Sequence, residues 1–118
     1  MTTLSTQREQ FNSIRKWIKR NIAYDHIRAI KVKALKSVTP DPDGCFEKRM
    51  GICVDISALA VKFLKGVGIP ARIAAGWADG QYHAWVYVTI DGKTIHYDPT
   101  SEILGKKVEK YVFSKWIM

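Results

Sequence analysis

An α+β fold, helices first and an antiparallel sheet after them, is predicted by three features of this sequence. Before Pro70 the apolar residues recur at helical spacing, and beyond it they alternate with the two-residue period of strands. Between two β-rich runs sits Asp91-Gly92, the signature of a two-residue hairpin and therefore of an antiparallel pair. A chain of 118 residues is long enough for one domain, 1–118, with a single modest core.

Taken in order, Thr6-Gln7-Arg8-Glu9 has the form of a capping box, and Phe11, Ile14, Ile18 and Ile22 follow at helical spacing, which predicts a first helix over 7–21. Ile27, Ile30 and Ala34 permit a short second helix. Residues 37–45 are dense in turn formers and are expected to be a loop. The next helix, 52–66, is the element around which the chain is organised. Its residues Ile52, Ile56, Leu59, Ala60, Phe63 and Leu64 form a buried face while Lys62 and Lys65 stay wet. Gly66 and Gly68 suit its C-terminal cap, and Pro70 prevents resumption.

Strands are predicted over 71–77 and 82–90, separated by a turn at Ala78-Asp79-Gly80-Gln81. The Asp91-Gly92 hairpin then sets a register in which Ile90 faces Lys93, Val88 faces Ile95 and Val86 faces Tyr97. Ala84, Val86, Val88, Ile90, Ile95 and Tyr97 share one face; His83, Trp85, Thr94, His96 and Asp98 share the other. His83 and Asp98 become diagonal neighbours about 7–8 Å apart at their α-carbons, within reach of an imidazole–carboxylate hydrogen bond. Residues 104–118 fit a helix or a final strand equally.

Composition limits the function. The net charge of +8 favours anionic partners, and residues 1–38 carry nine Lys or Arg against Glu9 and Asp25. Most of the basic residues of the first helix fall on its outer side, and no nucleic-acid-binding signature accompanies them, so nucleic acid is not the favoured partner. No stretch approaches the length of a membrane span and no apolar leader opens the chain, so a soluble, cytoplasmic protein is expected. Cys45 and Cys53 show no metal-ligand spacing and are expected to be reduced.

Cys53 falls in the first turn of the 52–66 helix, where unpaired N–H groups and the helix dipole favour a thiolate. A lone cysteine is ordinarily a small buried hydrophobe, and a lone strand histidine is ordinarily structural. Here, however, a cysteine at a helix start accompanies a His/Asp pair on a sheet face. Those are the parts of a thiol nucleophile, its base and the group that orients the base. The Cys53 N–H is a natural donor to an oxyanion. Asp55 lies about 200° around the helix from Cys53, so it is expected to compensate the helix N-terminus or bond a neighbouring loop. His96 is peripheral to this site and Cys45 has no evident partner.

These residues resemble motifs of the transglutaminase-like superfamily, with its papain-like cysteine-protease arrangement. Arg49-Met50-Gly51-Ile52-Cys53-Val54-Asp55 is similar to the nucleophile motif, with Met50 where a basic residue is common. Leu64-Lys65-Gly66-Val67-Gly68-Ile69-Pro70-Ala71-Arg72 is similar to the segment that follows, His83-Ala84-Trp85 to the histidine motif and Asp98-Pro99-Thr100 to the aspartate motif. The resemblance covers residues 14–100. It implies catalytic Cys53, His83 and Asp98 and helices packed on an antiparallel sheet. Tyr24 is a candidate second oxyanion donor, because its segment resembles the family's upstream Tyr-Asp. The implied activity is thioester chemistry on amide bonds with no metal or cofactor. Hydrolysis of a peptide or protein substrate, an acidic one given the charge, is favoured over acyl transfer to an amine as in a transglutaminase. A transferase needs an apolar channel beside His83, for which Trp85 and Trp77 are the placed residues. The non-enzyme alternative is a basic binding module that kept the fold.

Overall fold

A computed structural model describes residues 6–32 and 38–117. The chain runs α1 (Gln7–Asn21), β1 (Ala23–Tyr24), α2 (His26–Lys31), α3 (Pro42–Lys48), β2 (Met50–Gly51), α4 (Cys53–Gly66), β3 (Ala71–Ala78), β4 (Gln81–Ile90), β5 (Lys93–Tyr97), α5 (Pro99–Leu104) and β6 (Tyr111–Trp116). Ala34 and Ser37, which enter the expected second helix and loop, lie outside the described residues.

The helices begin where local chemistry starts them. Glu9 N–H donates to Thr6 Oγ1 at 3.1 Å and Thr6 N–H to Glu9 Oε1 at 3.1 Å, completing the capping box of α1, whose Phe11, Ile14 and Ile18 are buried. The expectation of a loop over 37–45 is corrected in part by α3. Asp41 caps it by accepting the Gly44 N–H at 3.0 Å, and Pro42 takes the first helical turn, where a missing N–H costs nothing. Asp-Pro-Asp-Gly was thus a helix start as well as a turn. In α2 the isoleucines Ile27 and Ile30 face solvent, 68% and 84% exposed, so capping by Asp25 rather than an apolar stripe defines that helix.

The main sheet has the order β5-β4-β3-β6, antiparallel throughout. Val86 pairs with Tyr97, Val88 with Ile95 and Ile90 with Lys93, the register that Asp91-Gly92 predicts. Both hairpin turns carry positive φ at their two central residues, Asp79-Gly80 (48°, 82°) and Asp91-Gly92 (51°, 80°), the geometry that suits the right-handed twist of paired strands. One face of the sheet, with Ile73, Ala84, Val86 and Val88, packs under α4, whose Ile56, Leu59 and Leu64 are fully buried at about 2 kcal/mol each. Helix α1 closes the core against α4 and α5, with Phe11 edge-on to Tyr97 at 5.1 Å. Within the segment 104–118, Leu104 ends α5 and Tyr111–Trp116 form the strand β6, which pairs with β3, with a bulge between Ala75 and Gly76.

Candidate active site

Cys53 is the first residue of α4, so its N–H has no carbonyl one turn earlier within the helix to bond. The helix start is held in place by Asp55, only 2% exposed, which accepts four hydrogen bonds. They come from Ile52 N–H (3.0 Å), Asp41 N–H (3.0 Å) and the Arg28 guanidinium (2.8 and 3.1 Å). One carboxylate therefore ties α2, α3 and α4 together, meeting both expectations for Asp55. The short parallel pair β1–β2 brings Tyr24 beside this start, with Ala23 opposite Met50 and Tyr24 opposite Gly51. Burial first, then the nearby Cys53 and Asp25, push the Tyr24 hydroxyl pKa upward, so it stays a donor.

From the sheet side, β4 delivers His83 and the end of β5 delivers Asp98. His83 Nε2 donates to Asp98 Oδ2 at 2.8 Å. Nδ1 is then the ring nitrogen left for the Cys53 sulfur, the second hydrogen-bonding partner acting on His83. Burial opposes a charged imidazole, but the hydrogen bonds to Asp98 and Cys53 and the charges of both outweigh it, and His83 is pushed up to about 9. Burial would raise Asp98, yet His83 and the two hydrogen bonds from Ser101 overcome it and hold the carboxyl below its ordinary range.

Asp98 does two jobs. Its Oδ1 accepts the Ser101 N–H at 3.1 Å and caps α5, the local bonding an Asp before Pro-Thr normally makes. Its Oδ2 binds His83 and also accepts Ser101 Oγ at 2.8 Å and Tyr111 OH at 2.9 Å. Sequence reasoning missed both hydroxyls. Ser101 lies in helix α5, whose start at Asp98-Pro99 uses residues that also make turns, and Tyr111 sits in a segment whose period fits no single element.

Cys53 and His83 line one cleft of about 460 Å³, together with Tyr24, Thr100, Lys106 and Lys107. The Thr100 hydroxyl is buried there without a hydrogen-bond partner. The two tryptophans are placed elsewhere. Trp85, fully buried, stacks behind His83 at 6.4 Å and packs on Tyr111 at 4.8 Å, so the surface expected to face a substrate is packed away by the strand that covers it. Trp77 is 38% exposed and rests on Tyr82, itself a cleft residue, without lining the cleft. His96 lies behind the site against Trp85, Tyr87 and Tyr111. Cys45 and Cys53 are free thiols; burial first, then Asp55 and Asp41, leave Cys45 pushed up to about 12. Among the described residues no cluster of His, Cys, Asp and Glu could hold a metal, and no helix is long and apolar enough to cross a membrane.

Comparison with known proteins agrees with this architecture. Three solved structures overlie the fold. A TGase is 25% identical with a TM-score of 0.72 over 90% of this chain and 29% of its own. A candidate cysteine protease from Cytophaga hutchinsonii is 23% identical with a TM-score of 0.64 over 87% and 34%. A candidate protease from Parabacteroides distasonis is 20% identical with a TM-score of 0.62 over 80% and 20%. The chain thus spans about a third or less of the length of each. No curated protein matches it. Residues 1–99 match the sequence profile of the transglutaminase-like superfamily, a stretch that holds Cys53, His83 and Asp98 and stops short of Ser101 and Tyr111. The chain belongs to the transglutaminase-like superfamily.

Proposed function

We propose that the protein is a cysteine-dependent amide hydrolase in which Cys53 is the nucleophile, His83 the general base and acid, and Asp98 the group that orients His83. The observation that supports this reading most is the 2.8 Å bond from His83 Nε2 to Asp98 Oδ2, which leaves Nδ1 to serve the Cys53 sulfur.

The Cys53 proton passes to His83 Nδ1, and Sγ attacks the carbonyl carbon of the amide. The oxyanion that forms is stabilised by the Cys53 N–H, with the Tyr24 hydroxyl at the same cleft as second donor. Collapse breaks the C–N bond, and the imidazolium returns its proton to the departing amine, leaving a thioester. Neutral His83 then takes a proton from water, the hydroxide adds to the thioester carbonyl, and Sγ leaves as thiolate. The products are a carboxylic acid and an amine.

Water is favoured over an amine as the second nucleophile because Lys106 and Lys107 line the cleft and repel a protonated acceptor. For the same reason the preferred substrate is acidic. A thiol-reactive peptide probe is expected to label Cys53, to leave the buried Cys45 untouched, and to fail on Cys53→Ala. Once a cleavable acyl donor is found, mass spectrometry should detect mainly free acid even with a primary amine at millimolar concentration. Labelling that survives Cys53→Ala refutes the nucleophile; a dominant amine adduct makes the protein a transglutaminase in activity.

A further inference from the structure

We propose that Tyr111 is a positioning residue for this site, its hydroxyl drawing on the Asp98 oxygen that binds His83 and so limiting how tightly Asp98 holds the imidazolium. The inference rests on the reading of Cys53, His83 and Asp98 as the reacting group. It begins with the crowding of one atom. Asp98 Oδ2 accepts three side-chain donors, His83 Nε2 at 2.8 Å, Ser101 Oγ at 2.8 Å and Tyr111 OH at 2.9 Å. A carboxylate offers about four lone-pair sites over both oxygens, so these three donors divide the charge of Oδ2 among themselves. Each added donor stabilises the ionised acid and weakens its pull on the others. A base that must also surrender its proton to a leaving amine needs an orienter held in check in this way.

The strand that carries Tyr111 is brought close by two separate devices. At Gly76 in β3, any Cβ would run into the Val112 carbonyl oxygen and crowd Trp85, so only glycine lets β6 approach this near. Upstream, the Asp79 carboxylate accepts the N–H groups of Glu109 (3.1 Å) and Lys110 (2.8 Å), fixing the chain immediately before Tyr111. Trp85, at 4.8 Å from the Tyr111 ring, fills the space between that ring and His83. Ser101, for its part, holds Asp98 through both oxygens, so removing Tyr111 OH changes the charge felt by His83 more than the carboxylate's direction.

Other titratable groups lie around the pair: Cys53 from α4, Arg15 from α1, His96 from β5, Glu102 from α5, Asp79 from the β3–β4 turn, and Lys106 and Lys107 beyond α5. Tyr111→Phe leaves all of them in place. The test is an NMR titration of the histidine rings in the 118-residue chain, with the His83 signal assigned as the one lost in His83→Gln. The midpoint of His83 should rise in Tyr111→Phe by about half a pH unit or more. Ser101→Ala, which removes the other hydroxyl on that oxygen, should move it the same way. An unchanged midpoint in Tyr111→Phe reduces the hydroxyl to packing, and a lowered one makes it an orienter instead; either overturns the proposal. The titration needs no turnover, so its result stands apart from the hydrolase reading. With an active enzyme, the alkaline limb of kcat/KM must move with the midpoint.

Discussion

At the scale of single residues, Asp98 is where stability and chemistry meet, and Asp98→Asn separates them. Asparagine keeps the Oδ1-type acceptor and caps a helix as well as aspartate, so α5 persists. The Ser101 and Tyr111 hydroxyls can turn to accept from the new amide. His83 cannot satisfy an amide NH₂ without moving its own proton to Nδ1, the nitrogen that must receive the Cys53 proton. Activity should therefore fall by about 10²–10⁴-fold in a folded protein, as circular dichroism and a rate assay on one preparation can establish. The pH dependence of folding changes as well. His83 is raised from 6.5 to about 9, so its contribution to stability is fully present below pH 6.5 and is lost as pH rises through about 9. Asp98 is lowered from 3.8, so its contribution is present above that value and is lost as pH falls through its folded pKa. Urea denaturation should find the wild type exceeding Asp98→Asn most between about pH 4 and 6.5, with the gap narrowing towards pH 10. A gap independent of pH would mean that the pair is uncharged in the folded protein.

At the scale of elements, legibility followed the strength of the local signal. The helix bearing Cys53 and the β4–β5 register were readable because apolar period and the Asp91-Gly92 turn each exclude the alternatives, and with the register came the His83–Asp98 juxtaposition. Helix α3 was hidden because its cap, Asp41 followed by Pro42, uses the residues that also make turns. Helix α5 was hidden for the same reason at Asp98-Pro99. Strand β6 has no polar/apolar alternation, with Val112, Phe113 and Trp116 all partly exposed on an edge, so it could not be distinguished from a helix. Tyr111 was lost with it. Asp55 shows how an element is anchored. Asp55→Ala strips partners from two backbone N–H groups and from Arg28 at once, and should cost about 3 kcal/mol in a chemical denaturation experiment. Arg28→Ala leaves both backbone bonds to Asp55 intact, yet also strands a buried carboxylate, and should cost less because Arg28 reaches solvent. Equal or negligible losses in the two variants would contradict the anchoring role of Asp55.

At the scale of the whole molecule, the helical layer presents Cys53 and the sheet presents His83, so the cleft lies at the seam between layers of a chain with a net charge of +8. Lys106 and Lys107 line that cleft, and Asp79, which lines it too, is occupied with the backbone of Glu109 and Lys110. A substrate bearing carboxylates near the scissile amide should therefore be preferred. The double change Lys106→Gln, Lys107→Gln should lower kcat/KM for it by about tenfold and flatten its salt dependence, while a neutral substrate is little affected. Loss of equal size on both substrates would assign these lysines to the stability of the segment instead.

The sharing of one carboxylate between a helix cap and an imidazole has a further consequence. The Ser101 amide proton sits on Asp98 Oδ1 while His83 sits on Oδ2, so an opening of α5 that swings the Asp98 carboxylate aside also releases the histidine. Every such opening also admits deuterium to that amide, so its exchange rate sets an upper limit on how often a folded molecule is momentarily inactive.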